Sequence, residues 1–286
     1  MFFICINMAI LGKKIILDMA RMAALSYETC DKLDAAYLYE RPYMKGCHEL
    51  ALLSIKEKPT FISSEEDCQV VLAKYLLPDE KEKLVVAFRG TESGEDILTD
   101  LNISREKLPL ENMSDGDWPL VHSGFAGQFF SVNTKIDEEV ANADSVLFCG
   151  HSLGGGLASI GSVYYGFKYP GKPIDCVTFG SPRVGDTRFA NYFDKRVGCS
   201  LRYVNDNDPI PCVPTRWRFK HVGGLQWLNQ DVVQSEIPVW RFYRFLKNTL
   251  LSVVGYGYNA CDDHKCDNYI TDIESIVVND DDDVSA

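Results

Sequence analysis

The stretch "CGHSLGGGLAS" at 149–159 sets four glycines and one serine within the eight residues from Gly150 to Leu157. A hydroxyl on a turn too tight for neighbouring side chains, with glycines two before and two after it, is a nucleophile elbow, G-x-S-x-G. The serine backbone there is strained, and Cβ atoms at 150 and 154 would meet the adjoining strand and helix. Ser152 is a weak nucleophile until an imidazole takes its proton. His264 is the histidine near the end of the chain, and its ordinary pKa near working pH suits it to that task. A carboxylate must then hold the imidazole tautomer and stabilise its cation. Asp206 and Asp208 both follow "SLRYVN". Asp208 is the choice, because it lies further past the strand end and Pro209 stiffens the loop behind it. Charge on a tetrahedral oxygen needs donors, and the backbone N–H of Leu153 with the N–H and hydroxyl of Thr91 are the candidates. Losing one such donor typically costs about 3 kcal/mol of barrier stabilisation.

These residues need elements that bring them to one place. "DSVLFC" before the elbow reads as a strand, and "LASIGSVYYGFKY" after it as a helix whose N-terminus points at the serine oxygen. Earlier, "LDMARMAALSYETC" (17–30) has helical apolar spacing and is expected to pack outside a sheet, while "CQVVLAKYLL" and "KLVVAFRG" form a hairpin-like pair around "PDEKEK". Positions 93–120 are polar and broken, with one amphipathic piece, "EDILTDL". Helix is expected at 123–143, strand at "IDCVTFGS", helix at "RFANYFDKRV" and strand at "CSLRYVND". Strand and helix in alternation predict a mostly parallel central sheet with helices on both faces, an α/β fold. In such sheets functional groups gather at the carboxyl ends of strands. Arg89, Gly90 and Thr91 end one predicted strand, Ser152 another and Asp206 with Asp208 a third. No linker or repeat divides the chain, so 1–286 reads as one domain, with its core at about 17–275 and a disordered, solvated acidic tail at 279–286.

Other titratable groups have structural readings. His151 is expected to pack the turn, His122 and His221 to bond loop backbone, and His48 has no context. Asp186 in "SPRVGD" follows the wrong strand for an acid. Ten cysteines without a repeated C-x-x-C spacing indicate neither a zinc framework nor a disulfide scaffold. Cys149 and Cys176 read as buried thiols. Cys261, Cys266 and His264 would lack a fourth metal ligand, so no metal and no cofactor is expected. At 46% hydrophobic and 24% charged the composition is globular. A net charge of −12 excludes nucleic acid as a general partner and disfavours strongly anionic membranes.

The ordered motifs "VVAFRGTES", "HSGF", "GHSLGGGLA", "FGSPRVGD", "NDNDPIPCVP" and "DDHKCDNY" resemble the class 3 lipases, fungal-lipase-like α/β hydrolases, over about 17–275. The resemblance implies an α/β-hydrolase fold and a serine esterase acting on acylglycerols or related lipids. Carried over by position, it implies Ser152, Asp208 and His264 as triad, with Thr91 and Leu153 at the oxyanion hole. The family usually has alanine where this chain has Gly156, which loosens the helix start. Its lid commonly carries tryptophan where this chain offers Ile97, an anchor too small for strong interfacial activation.

Contact with lipid is read in two places. Ile97, Leu98 and Leu101 share one face of the candidate lid. The segment 239–254, as a helix, has Arg241, Arg244 and Asn248 on a narrow stripe, with Trp240 and Phe245 among the apolar remainder. Such a helix can lie on a membrane or lipid-droplet surface or pack into a core with its arginines snorkelling. Triacylglycerol, partial acylglycerols, phospholipids and feruloyl-type esters all suit the scaffold, as does acyl transfer. A non-catalytic lipid-binding relative would lack a triad member. The apolar start "MFFICINMAILGKK" makes a poor signal peptide, since its positive charges follow the apolar run. The sequons at Asn102 and Asn112 leave secretion open, and the expectation is an intracellular protein.

Overall fold

Strand β3 (Glu82–Phe88) shows why the central segments are unbroken apolar runs. Leu84, Val86 and Phe88 face one buried cluster, while Val85 and Ala87 face another. Burial of both faces requires helices on both sides of the sheet. The structure, a computed structural model, describes residues 11–27, 55–56, 59–64, 68–77, 79, 81–91, 104–111, 113–229, 232–235 and 262–283.

The main sheet is framed on one side by β1 (Thr60–Ser63), β2 (Gln69–Leu76) and β3, with β1–β2 and β2–β3 paired antiparallel. From β3 onward β6 (Val146–His151), β7 (Ile174–Phe179), β8 (Ser200–Asn205) and β9 (Gly224–Asn229) run parallel. The antiparallel β10 (Val232–Gln234) closes that edge. The spatial order is β1-β2-β3-β6-β7-β8-β9-β10, with β4 (Arg105–Lys107) and β5 (Leu120–His122) as a separate antiparallel pair. Helices α2 (Ser123–Asn142), α3 (Leu153–Lys168) and α4 (Thr187–Arg196) cover one face. On the other lie α1 (Lys13–Leu25) and α5 (Cys266–Asp283). This mostly parallel sheet between two helical layers is the α/β-hydrolase fold.

The parallel register aligns the strand ends that matter. Phe88 lies beside Gly150, His151 beside Phe179, and Phe179 beside Tyr203. The loops after β3, β6, β7 and β8 therefore leave from one rim. Helix α1 carries two buried charges among its apolar residues, Asp18 and Arg21. Tyr75 on β2 donates to Asp18 Oδ2 at 2.5 Å, and Arg21 pairs with Glu274 on α5. These contacts satisfy polar groups that burial would otherwise penalise.

The expected hairpin is present, with Val71 opposite Ala87, and α1 begins four residues before the predicted start. The polar stretch 93–120 holds β4 in its described part. β1, β9 and β10 were not expected. The last helix runs through Asp283, so most of the aspartate run continues a helix where a disordered tail was expected. Among the described residues no helix is long and apolar enough to cross a membrane.

Glycine at the elbow is a packing requirement. A Cβ on Gly150 would come within 2.3 Å of Gly154 C and O, and one on Gly154 within 2.1 Å of Phe88 O. Both obstacles are backbone, which can move only by parting α3 from the sheet. Gly154→Ala is therefore expected to cost about 3 kcal/mol of stability, read as a lowered urea midpoint at unchanged m-value. Gly156 is milder: a Cβ there would sit 3.1 Å from the ring of Phe125, which occupies the space an alanine would use.

Candidate active site

Ser152 lies between β6 and α3 with φ 59° and ψ −129°, the one non-glycine residue at positive φ among those described. Its N–H donates to Phe179 O at 2.9 Å, pinning the elbow to β7. Asp208 follows β8, and His264 ends a short 3-10 turn, Asp262–His264, just before α5. The three side chains meet in line. His264 Nδ1 is 2.8 Å from Asp208 Oδ2, and His264 Nε2 is 2.8 Å from Ser152 Oγ. An ionised carboxylate only accepts, so Nδ1 carries the proton and Nε2 accepts from the serine hydroxyl. All three groups are buried.

Asp208 is held by more than the histidine. Tyr269 on α5 donates its hydroxyl to Oδ2 at 2.6 Å, and the Ile210 N–H donates to Oδ1 at 2.9 Å. The same Tyr269 oxygen accepts from Asn205 N–H at 2.9 Å, tying α5 to the end of β8. Asp206, the rival acid, belongs to the sheet edge. Its N–H donates to Leu228 O at 2.9 Å and its carbonyl accepts from the Trp227 indole at 3.0 Å. Asp186 accepts from Phe189 N–H at 2.9 Å and caps α4.

Room for the histidine–aspartate pair comes from Gly180, at φ +59°. A Cβ there would lie 2.7 Å from Asp208 Oδ2 and 3.0 Å from His264 Nδ1. No reading of the sequence singled it out, although "FGSP" after a strand carries the signal.

His151 does more than pack the turn. Its Nδ1 is 2.8 Å from the Tyr27 hydroxyl, and its Nε2 is 2.6 Å from the main-chain oxygen of His264. Burial first, and then the nearby His264, hold its pKa well below the usual histidine range. The neutral ring thus donates from Nε2 to the His264 carbonyl and accepts from Tyr27 at Nδ1. The residue beside the nucleophile in sequence fastens the backbone of the histidine it serves in space. Neither Tyr27 nor Tyr269 was foreseen in such a place.

His122 and His221 both hydrogen-bond backbone, as expected. His122 Nδ1 accepts from Phe125 N–H at 3.4 Å at the start of α2, and His221 Nε2 donates to Pro211 O at 2.8 Å. The candidate oxyanion donors flank Ser152. Leu153 is the first residue of α3, where main-chain N–H groups lack partners within the helix. Thr91 follows Gly90, whose Cβ position is 3.1 Å from Ser152 Cβ. Both ring nitrogens of His264 are engaged by Ser152 and Asp208. Burial pushes the Cys176 thiol up to about 12, which makes it an inert packing group. Ile97, Leu98, Leu101, Trp240 and Phe245 lie outside the described residues, as do His48, Asn102, Asn112 and Cys261.

The family described as Lipase (class 3) matches residues 85–217, which include the elbow and Asp208. A secreted mono- and diacylglycerol lipase of Fusarium solani is 28% identical over 64% of this chain and 57% of its own length. One of Malassezia globosa is 28% identical over 76% of this chain and 73% of its own. Thus the chain spans little more than half of the Fusarium relative. A Rhizomucor miehei lipase in complex with its propeptide superposes with a TM-score of 0.61 at 24% identity, covering 76% of this chain and 67% of that one. Both sequence relatives are named as secreted, and the intracellular expectation finds no support among them.

Proposed function

We propose that the chain is a member of the class 3 lipase family, whose model matches residues 85–217, and a serine carboxylic-ester hydrolase of lipid esters working as one domain over 1–286. The observation that carries this reading is the unbroken line Ser152–His264–Asp208 at 2.8 Å for each link. In the proposed reaction His264 Nε2 takes the hydroxyl proton as Ser152 Oγ attacks the ester carbonyl. The tetrahedral oxygen then sits against the N–H of Leu153 and the N–H and hydroxyl of Thr91. Collapse expels the alcohol with the proton from His264, leaving an acyl-serine that water, activated by the same imidazole, hydrolyses.

Acylglycerols are the proposed substrates, and the names of the two sequence relatives support them. The same names support export from the cell. The acyl-enzyme would equally accept another alcohol, so product analysis with added alcohol separates hydrolysis from transfer.

A long-chain alkyl phosphonate bearing a p-nitrophenol leaving group tests the nucleophile directly. It is expected to stop hydrolysis of a monoacylglycerol and to leave one adduct, located by mass spectrometry on the peptide containing Ser152. An adduct elsewhere, or full activity after labelling, would remove the proposal. Parallel assays on di- and triacylglycerols, phospholipids and feruloyl esters rank the substrate classes.

A further inference from the structure

Trp217 is 86% exposed, far more than any other large hydrophobic residue described. It lies in "PIPCVPTRWRFKHVGGLQWLNQ" (209–230), which carries Arg216, Arg218 and Lys220 and not one aspartate or glutamate. That is a local inversion of charge in a chain with 41 acidic residues against 29 lysines and arginines. Arg216, Arg218 and Lys220 are all exposed beside the indole.

The loop is built to present this group. Phe219 is fully buried beneath it, with the Arg105 guanidinium 6.0 Å from its ring centroid. Arg183 donates to Pro214 O at 2.7 Å and also to Cys212 O, and Arg105 donates to Arg218 O at 3.2 Å. The Arg218 and Phe219 N–H groups both return to Thr215 O at 3.3 Å. Carbonyls on either side of the tip are thus clamped by cations rooted in other elements, so the indole is held outward by a braced turn. The loop starts at Asp208 and so leaves the sheet at the same rim as Ser152. Arg105, which clamps its tip, lies four residues beyond the candidate lid segment.

The geometry points to this turn as the place where the protein docks on an anionic lipid surface, with Trp217 entering the headgroup layer and Arg216, Arg218 and Lys220 contacting lipid phosphates and carboxylates. An indole has an apolar body and one N–H donor, which suits the boundary between acyl chains and water. Cations beside it add attraction to a negative leaflet that the net charge of the chain conceals. An acidic protein would match the charge as well. The lipid surface is favoured because the turn shares its rim with a site read as cutting lipid esters, and to that extent the inference rests on the proposed function.

Docking is measured by flotation with phosphatidylcholine vesicles, with and without phosphatidylserine, in a full-length Ser152→Ala background so that the vesicles stay intact. Binding that requires phosphatidylserine and falls with salt is expected. Arg216→Gln with Arg218→Gln should weaken it about thirtyfold, and Trp217→Ala about tenfold. Brominated lipid should quench tryptophan emission in the parent and markedly less in Trp217→Phe, which keeps an aromatic ring. With Ser152 intact, Trp217→Ala should hydrolyse a soluble short-chain p-nitrophenyl ester at the parental rate. The inference is overturned by equal binding of the variants, by equal binding to vesicles lacking phosphatidylserine, or by capture on polyglutamate but not on vesicles. Loss of soluble-ester turnover in Trp217→Ala would also overturn it, since the residue would then support the site itself. Because flotation uses the serine-less chain, absence of ester hydrolysis in the parent would sink the proposed function and leave the docking result standing.

Discussion

Ser152→Ala is expected to lower turnover of a lipid ester by about 10⁶-fold, with little change in stability. The loss is large because the line of proton transfer has no substitute donor. His264 Nε2 faces Ser152 Oγ at 2.8 Å in a buried setting, and among the described residues no other hydroxyl or thiol is bonded to that ring. The stability should hold because alanine keeps the Cβ and the strained φ of 59°, along with the N–H bond to Phe179 O. What remains after the change is the contribution of the oxyanion donors and substrate binding, worth about 10³- to 10⁴-fold over water. Turnover of a monoacylglycerol, followed by fatty-acid release alongside a urea melt, checks both halves. Near-parental hydrolysis by a folded Ser152→Ala protein would end the mechanism.

The second large effect is Asp208→Asn, expected to reduce turnover about 10⁴-fold. Asp208 accepts from three donors: His264 Nδ1–H, the Tyr269 hydroxyl and the Ile210 N–H. An asparagine cannot satisfy them all. With its oxygen toward His264 and Tyr269, its NH₂ opposes the Ile210 N–H. With the amide turned over, its NH₂ faces Nδ1 and drives the imidazole proton onto Nε2, where it can no longer accept from Ser152. Either way a buried donor is left unpaired, so stability should also fall by about 1–3 kcal/mol. Asp206→Asn is the matched control, because Asp206 is fastened to β9 through its main chain and should change turnover little. If the two variants lost turnover equally, the assignment of the acid would be wrong.

The two predictions differ in how far the sequence could reach. Ser152 was legible because its requirement is local. Gly150 and Gly154 are the residues whose side chains would collide, and they lie two positions away on either side. Largely continuous apolar runs likewise announced β3, β6, β7 and β8, since strands buried on both faces need no knowledge of their partners. Asp208 over Asp206 could be argued from its place past the strand end, from the stiffness Pro209 gives the loop and from the family resemblance, none of which names a contact. The structural reason is different: β8 pairs with β9, and that pairing captures Asp206 through Leu228 and Trp227. β9 itself, "GLQWLN", escaped notice because it includes glycine, glutamine and asparagine. Its Gln226 is nevertheless buried.

Tyr269 and His151 were present in the motifs and still had no legible role. Their bonds run to Asp208, 61 residues away, and to the His264 carbonyl, 113 residues away. A hydroxyl or ring nitrogen carries no mark of such a distant partner. Gly180 is similar, since its positive φ is local while the groups it makes room for come from 208 and 264.

The amino-acid order by itself therefore determined the elbow, the α/β layering and the order of serine, acid and base, because strain, burial and chain direction act within a few residues of each position. Tertiary structure alone decided what holds Asp208 and where the Trp217 indole is turned to solvent. Those outcomes depend on which surfaces meet once the sheet has closed its register, and contacts made across more than fifty residues leave no pattern along the chain.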